Sequence, residues 1–272
     1  MIRQPANLII GSALLIFIGG MALLALFWTP YEPAAIKLIA KLKPPSAQFW
    51  LGTDEFGRDV VSRLMTGAVQ SMTVAILTVA FAITVGTITG LIAGYTRGLV
   101  DRILMVFSDA LLAFPGTLLA LGLMVISGPN KYGIILALGI AYSPSVLRVV
   151  RASVLSARER EYVEASRVIG NSEFATMFRH VLPNCTAPIV VLATSMFGWV
   201  LLAESSLSFL GLGVPPPAPT WGNMLAGSRS YIGQAVWLGI FPGLCISITL
   251  LGINLFGDAV RDRLDPRMRG VG

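Results

Sequence analysis

Apolar residues in this chain come in long unbroken blocks, and the charged residues gather in the gaps between them. A helix needs about 20 apolar residues to cross about 30 Å of hydrocarbon. Six blocks meet or approach that length: Leu8–Trp28, Met72–Tyr95, Ile103–Ser127 with Asp109 inside it, Gly133–Val150, Pro188–Leu210 with Glu204 inside it, and Val236–Gly257. The fourth is short, which places Arg148 at its polar end with its stem along apolar surface. Backbone N–H and C=O groups cannot go unpaired in lipid, so each block is expected to be a helix. The pattern predicts an all-α membrane protein with six transmembrane helices. The first block is longer than the apolar core of a secretory leader, and no small-x-small cleavage site follows it, so it is expected to span.

Composition agrees with the pattern. Of the 272 residues 55% are hydrophobic and 12% charged, and mean hydropathy is +0.76, where soluble domains run near 25% charged. The net charge of +6 could suit nucleic acid, but membrane proteins collect Lys and Arg in their cytoplasmic loops. With the N-terminus inside, thirteen of the twenty basic residues fall on the inner side and seven outside, five of those in the long first outer loop. Both termini are therefore expected in the cytoplasm. The chain divides on this reading into an N-terminal helix and outer loop (1–70), a transmembrane core (71–260) with a cytoplasmic loop (151–187), and a tail (261–272). Cys185 and Cys245 lie in or beside apolar blocks and are not expected to pair. A single histidine, His180, leaves no multi-histidine metal or haem site.

The second block carries Gly86, Gly90 and Gly94 at four-residue spacing. Such a smooth stripe lets another helix approach closely; plain packing is expected over a channel lining, with a second chain as the neighbour. Pro115, Pro144 and Pro242 interrupt three other spans and are expected to kink them.

The stretch Arg148–Arg179 is different, with six arginines and four glutamates between two apolar blocks. Ala157–Ile169 is good helix material, Gly170 fits a helix-ending position of positive φ, and Asn171 or Ser172 fits the next N-cap, with Glu173 favourable in its first turn. Phe174, Met177, Phe178, Val181 and Leu182 recur at helical spacing until Pro183. Glu164 and Arg167, three apart, can pair. A lipid-lying helix would favour Lys and Arg without so many Glu, so a docking site for a soluble partner fits this loop better.

Here the sequence resembles the permeases of ATP-binding-cassette importers. "EASRVIG" followed by "RHVLP" is similar to their Glu-Ala-Ala loop, matching at Glu164, Ala165, Gly170, Leu182 and Pro183, with Ser166 in place of the second Ala. "GTDEFGRDVVSR" (52–63), "SLSFLGLGVPPPAPTWGNML" (206–225) and "NLFGDAVRDRLDPR" (254–267) resemble the dipeptide, oligopeptide and nickel group, in its C-type subunit. In the first of these stretches Gly52 and Gly57 read as breaks and Asp54 and Asp59 as candidate caps. The resemblance implies the six-helix fold of type I importers. It makes Glu161, Glu164, Ala165, Ser166, Gly170, Leu182 and Pro183 the ATPase-coupling loop. It also implies two ATPase subunits, a second homologous permease and an external solute-binding protein, with di- or oligopeptides as cargo, or nickel or another small solute. No G-x-x-x-x-G-K-[ST] loop occurs, so the chain is expected to be no enzyme and to bind no cofactor, ATP and Mg being held by its partners.

Rival functions remain. A secondary transporter would want carboxylates near the midplane, and Asp109 and Glu204 are the candidates for a pathway or gate. An intramembrane protease lacks a histidine base in its spans. A simple channel leaves the charged loop without a purpose.

Overall fold

A computed structural model describes residues 3–264. It is helical almost throughout. α1 is Arg3–Ala25, α2 Val60–Thr96, α3 Gly98–Leu112, α4 Gly116–Ser127 and α5 Lys131–Ala157. Then follow α6 Glu161–Val168, α7 Glu173–Thr176, α8 Thr186–Phe209, α9 Trp221–Ser228 and α10 Trp237–Leu264. Among the described residues the one extended pairing is an antiparallel bridge between Thr53 and Asp59.

Five helical stretches are long and apolar enough to span, and a sixth forms only if α3 and α4 are taken together. The span over Ile103–Ser127, expected to kink at Pro115, is broken outright, bent by 86° between α3 and α4. Pro115 is the cause. It has no N–H to donate, and it pushes the residue before it out of helical geometry. Pro144 and Pro242 stay inside continuous helices, so neither breaks its span. α4 has 12 residues, about 18 Å of rise, which does not cross a 30 Å core on its own.

α2 is the longest single helix at 37 residues. It starts twelve residues before the expected Met72 and runs unbroken through the supposed boundary at residue 70. Asp59 sets its start by accepting hydrogen bonds from Ser62 N and Ser62 Oγ at 2.8 and 2.7 Å. Asp54 is not a helix cap. It organises the preceding turn, taking the N–H groups of Phe56 and Arg58, each at 2.9 Å, and Arg58 Nε at 2.6 Å. Gly57 has φ +72°, and its bare Cα lies against the Lys37 backbone where a Cβ would not fit.

The glycine stripe serves plain packing, as expected, but its neighbour is not a second chain. It packs against α5. A Cβ on Gly90 would meet Leu147 O at 2.6 Å and Val150 Cβ at 2.9 Å, and one on Gly94 would meet Arg151 O and Val154 Cβ, both at 2.9 Å. The four-residue ridge of α5 (Val146, Val150, Val154) thus fills the groove that three missing side chains leave on α2. α2, α4, α5 and α8 share one apolar cluster around this seam. α1, α9, α10 and the start of α2 form a second around the buried Trp221. Residues 265–272, including the end of the Asn254–Arg267 stretch and the basic Arg267 and Arg269, lie outside the described residues.

Replacing Gly90 by Leu is expected to prevent close contact of α2 with α5 and to destabilise this chain itself by about 2 kcal/mol or more. Gly20→Leu, where nothing lies within 4 Å of the new Cβ, is expected to be neutral. Thermal unfolding of the two variants in detergent checks this, and equal midpoints would show that the seam is not needed.

Candidate functional site

The charged loop folds at one end of the bundle as α6, a glycine turn and α7. α6 begins at Glu161, not at Ala157, which closes α5. It ends in a Schellman motif. Asn171 N donates to Ser166 O at 3.2 Å and Gly170 N to Arg167 O at 3.0 Å, with Gly170 at φ +89°. A Cβ on Gly170 would touch nothing within 4 Å, so the position needs glycine for its dihedral alone. Ser172 caps α7 through Ala175 N at 3.2 Å, and Glu173 stands in the first turn.

Ser166 and Thr176, both buried, hold the two helices together with their hydroxyls 3.0 Å apart, and Asn171 Nδ2 donates to Ser166 Oγ at 3.0 Å. An alanine at 166 would leave Thr176 without this partner. Val163, Met177 and Val181 continue the packing into the main apolar cluster.

After α7 the chain makes a π-helical turn over Met177–Val181 and a 3-10 turn over Leu182–Cys185, and runs on into α8. Pro183 therefore does not stop the helix as expected. It lies in the first positions of the 3-10 turn, where a missing N–H is tolerated, and Asn184 Nδ2 donates to His180 O at 2.7 Å. Helical structure is continuous from Glu173 to Phe209.

Tyr95, at the end of α2, joins the loop to the bundle. Its hydroxyl hydrogen-bonds the Glu173 carboxylate, its C=O accepts from Arg158 Nη1 at 2.8 Å, and the Arg167 guanidinium lies 5.5 Å from its ring centre. Sequence reasoning gave Tyr95 no role, because its partner is 78 residues away. The expected Glu164–Arg167 pair does not form. Arg167 Nε faces Glu173 at 3.8 Å, and Glu164 enters no ion pair among the described residues. Glu161, Glu164 and Ala165 are exposed, Leu182 is half-buried and Pro183 exposed. The outer surface of the turn is apolar. Val168 is 82% exposed, Ile169 80% and Phe174 68%, the last stacked on Phe178 at 4.5 Å. These three side chains, beside acids and arginines, form an exposed apolar knob.

Over residues 86–270 the chain matches the family model described as the binding-protein-dependent transport system inner membrane component. The chain belongs to this family. It is 41% identical over 267 residues to the di/tripeptide transport system permease protein DppC of Pseudomonas aeruginosa, covering 96% of this chain and 88% of that one. It is 38% identical over 269 residues to the glutathione transport system permease protein GsiD of Pectobacterium atrosepticum, covering 98% and 89%. In fold it is similar to a chain of the MetNI methionine ABC transporter in an inward-facing conformation, with a TM-score of 0.62 at 18% identity over 74% of this chain and 96% of that one. The architecture is thus the type I importer fold named by the resemblance.

The structure keeps the two membrane carboxylates apart from the loop tip. Asp109 is half-exposed on α3 and pairs with Arg148 Nη2 of α5 at 2.7 Å. Close by, Arg151 grips Asp101 with Nε and Nη2 at 2.6 and 2.7 Å, a two-pronged geometry stronger than a single contact. Both pairs tie α3 to α5, and the second was not foreseen. Glu204 is wholly enclosed rather than facing an open path. Its Oε1 accepts from Ser208 Oγ at 2.7 Å, beside Thr220 at the cap of α9. Among the described residues no three His, Cys, Asp or Glu side chains come together to hold a metal, and Cys185 and Cys245 are free thiols.

Gly170→Val is expected to strain the turn by about 1–2 kcal/mol through its positive φ. The strain should appear as faster proteolytic nicking near residue 170 with little change in the unfolding midpoint of the bundle. Unchanged nicking would show that the Schellman turn is not what orders the loop.

Proposed function

We propose that this chain is the membrane-spanning subunit of an ATP-driven importer of short peptides, gripped by a soluble ATPase at α6, the Gly170 turn and α7. The observation that carries the reading is the exposed knob of Val168, Ile169 and Phe174 on a loop that is otherwise rigidly fixed. A knob of this kind supplies buried apolar area to a groove. The Schellman turn, the Ser166–Thr176 contact and Tyr95 hold it in one orientation. Force applied there enters α8 along an uninterrupted helical path and enters α2 through Tyr95.

Glu161, Glu164 and Arg167 lie around the knob and suit pairing with charges on the ATPase, Ala165 is exposed beside them, and Ser166 packs the inner side. Leu182 and Pro183 carry the chain from loop to span. This chain holds no nucleotide, and ATP and Mg belong to the two ATPase subunits. A second homologous permease completes the passage, and an external solute-binding protein delivers the cargo. Asp109 and Glu204 act in this scheme as fasteners whose release accompanies the change of access, Asp109 between α3 and α5 and Glu204 between α8 and α9. The basic residues put both termini and the loop in the cytoplasm, with residues 26–59 outside. The names of the di/tripeptide and glutathione relatives support a peptide-like cargo.

Two measurements test this reading. Ile169→Asp with Phe174→Asp is expected to abolish co-purification of the ATPase subunits and uptake of a labelled dipeptide, with the chain still inserted at normal levels. Retention of the ATPase by that double variant would refute the knob as the grip. Reporter fusions at Asn171 are expected to read cytoplasmic and those at Lys43 and Pro217 external. An external signal at Asn171 would place the loop on the wrong side for any ATPase.

A further inference from the structure

A groove of about 520 Å³ opens beside the loop, away from the knob. Its walls come from the last turns of α5 (Ala152, Ser153, Ser156, Ala157), the start of α6 (Arg160, Tyr162) and the 3-10 turn (Asn184). The polar groups that reach it are mostly donors. Among the described residues Arg160 enters no ion pair and its side chain no hydrogen bond, and the hydroxyls of Ser156 and Tyr162 are likewise unengaged. Ser153 Oγ donates to Val149 O at 2.9 Å and so offers only its lone pairs. Asn184 commits one N–H to His180 O, leaving the second. No carboxylate lines the groove. The nearby Glu159 is held by Arg97 Nη2 at 2.9 Å. Burial, the first cause, raises the Tyr162 phenol above its ordinary pKa, and the Arg160 charge acts on it in the opposite sense. The hydroxyl is therefore a proton donor across the neutral range and lies within reach of the Arg160 field.

Depth identifies the ligand. The uncharged run of α5 ends at Leu147, and Arg148 and Arg151 follow. The groove begins one turn further on, about 8 Å beyond the apolar run. That is the level of lipid headgroups, where basic pockets between membrane helices take anionic lipid. Ala152 and Ala157 leave an apolar floor for the glycerol and upper acyl carbons.

We propose that this groove is a phosphate site for an anionic phospholipid headgroup, with Arg160 as the charged donor and Ser156, Tyr162 and Asn184 completing the cradle. None of the knob residues Val168, Ile169 and Phe174 lines it, although Tyr162 lies on the same helix, α6, and Arg160 at its N-cap. A phosphodiester from the bilayer and free inorganic phosphate present the same oxygens, and only the first also contacts the alanine floor.

The test uses the full chain purified in detergent and returned to mixed micelles of phosphatidylglycerol and phosphatidylcholine, with bound lipid counted by native mass spectrometry. Wild type is expected to retain phosphatidylglycerol, and Arg160→Gln to lose it by about 10-fold, the scale of one charge-assisted contact. Ser156→Ala should give a smaller loss, and Arg160→Lys should restore most of the binding. Arg102→Gln, an equal change of charge elsewhere, should leave it unaltered. Millimolar inorganic phosphate is expected not to displace the lipid. If it does, free phosphate is the occupant and the lipid assignment falls. Equal phosphatidylglycerol retention by wild type and Arg160→Gln overturns the site altogether.

Discussion

Everything in this bundle depends on how closely α2 approaches α5. Membrane helices gain nothing from hiding apolar side chains from one another, because lipid is just as apolar. What holds them is contact at short range, and Gly86, Gly90 and Gly94 allow it by presenting bare backbone to Val146, Val150 and Val154. α4 and α8 pack around this seam, and Asp101–Arg151 and Asp109–Arg148 bring α3 to the same helix. The second pair has both side chains about half exposed, so in water it would contribute less than about 1 kcal/mol. Its contribution is to fix the orientation of α3 across the 86° bend rather than to add much stability.

The loop between α5 and α8 is built on the opposite principle. Within the bundle apolar surface packs against neighbouring helices, yet at the loop tip Val168, Ile169 and Phe174 are exposed. Val168 and Ile169 sit at the end of a helix whose inner side, Val163 and Ser166, is buried. The glycine after them reverses the chain at a point where a Cβ would meet nothing within 4 Å. Such a surface is stable only because polar contacts behind it (Ser166 with Thr176, Asn171 with Ser166, Glu173 with Tyr95) are satisfied. The π turn and Pro183 then let the chain change direction while remaining helical.

Much of this was legible in the sequence, and the failures share a cause. Block length found the five continuous spans, since the hydrocarbon imposes it, and marked the broken pair α3–α4 as one block. Gly170, Ser172 and Asp59 were legible because their roles are local, fixed by dihedral or by a cap three residues away. The break at Pro115 was hidden because a proline in an apolar run can kink, break or do neither, as Pro144 and Pro242 show. The glycine stripe announced a close neighbour but not which one. Tyr95, the Asp101–Arg151 pair and the enclosure of Glu204 depend on residues far apart in the chain, and no spacing rule reports them. Ser166 looked like a conservative exchange because its hydroxyl acquires a purpose only when Thr176 is brought opposite.

The length of α2 has a mechanical consequence. The helix is continuous from the Asp59 cap to Tyr95, about 55 Å. Its seam with α5 runs along most of that length, from Gln70, whose Oε1 accepts from Lys131 Nζ at 2.9 Å, past Phe81 against Gly139, to Gly94 against Val154. Two helices joined over such a length move as one unit rather than pivoting on each other. A shift imposed on Tyr95 by the loop is therefore carried by the pair to the far end, where Leu64 O receives the Trp221 indole N–H at 3.1 Å.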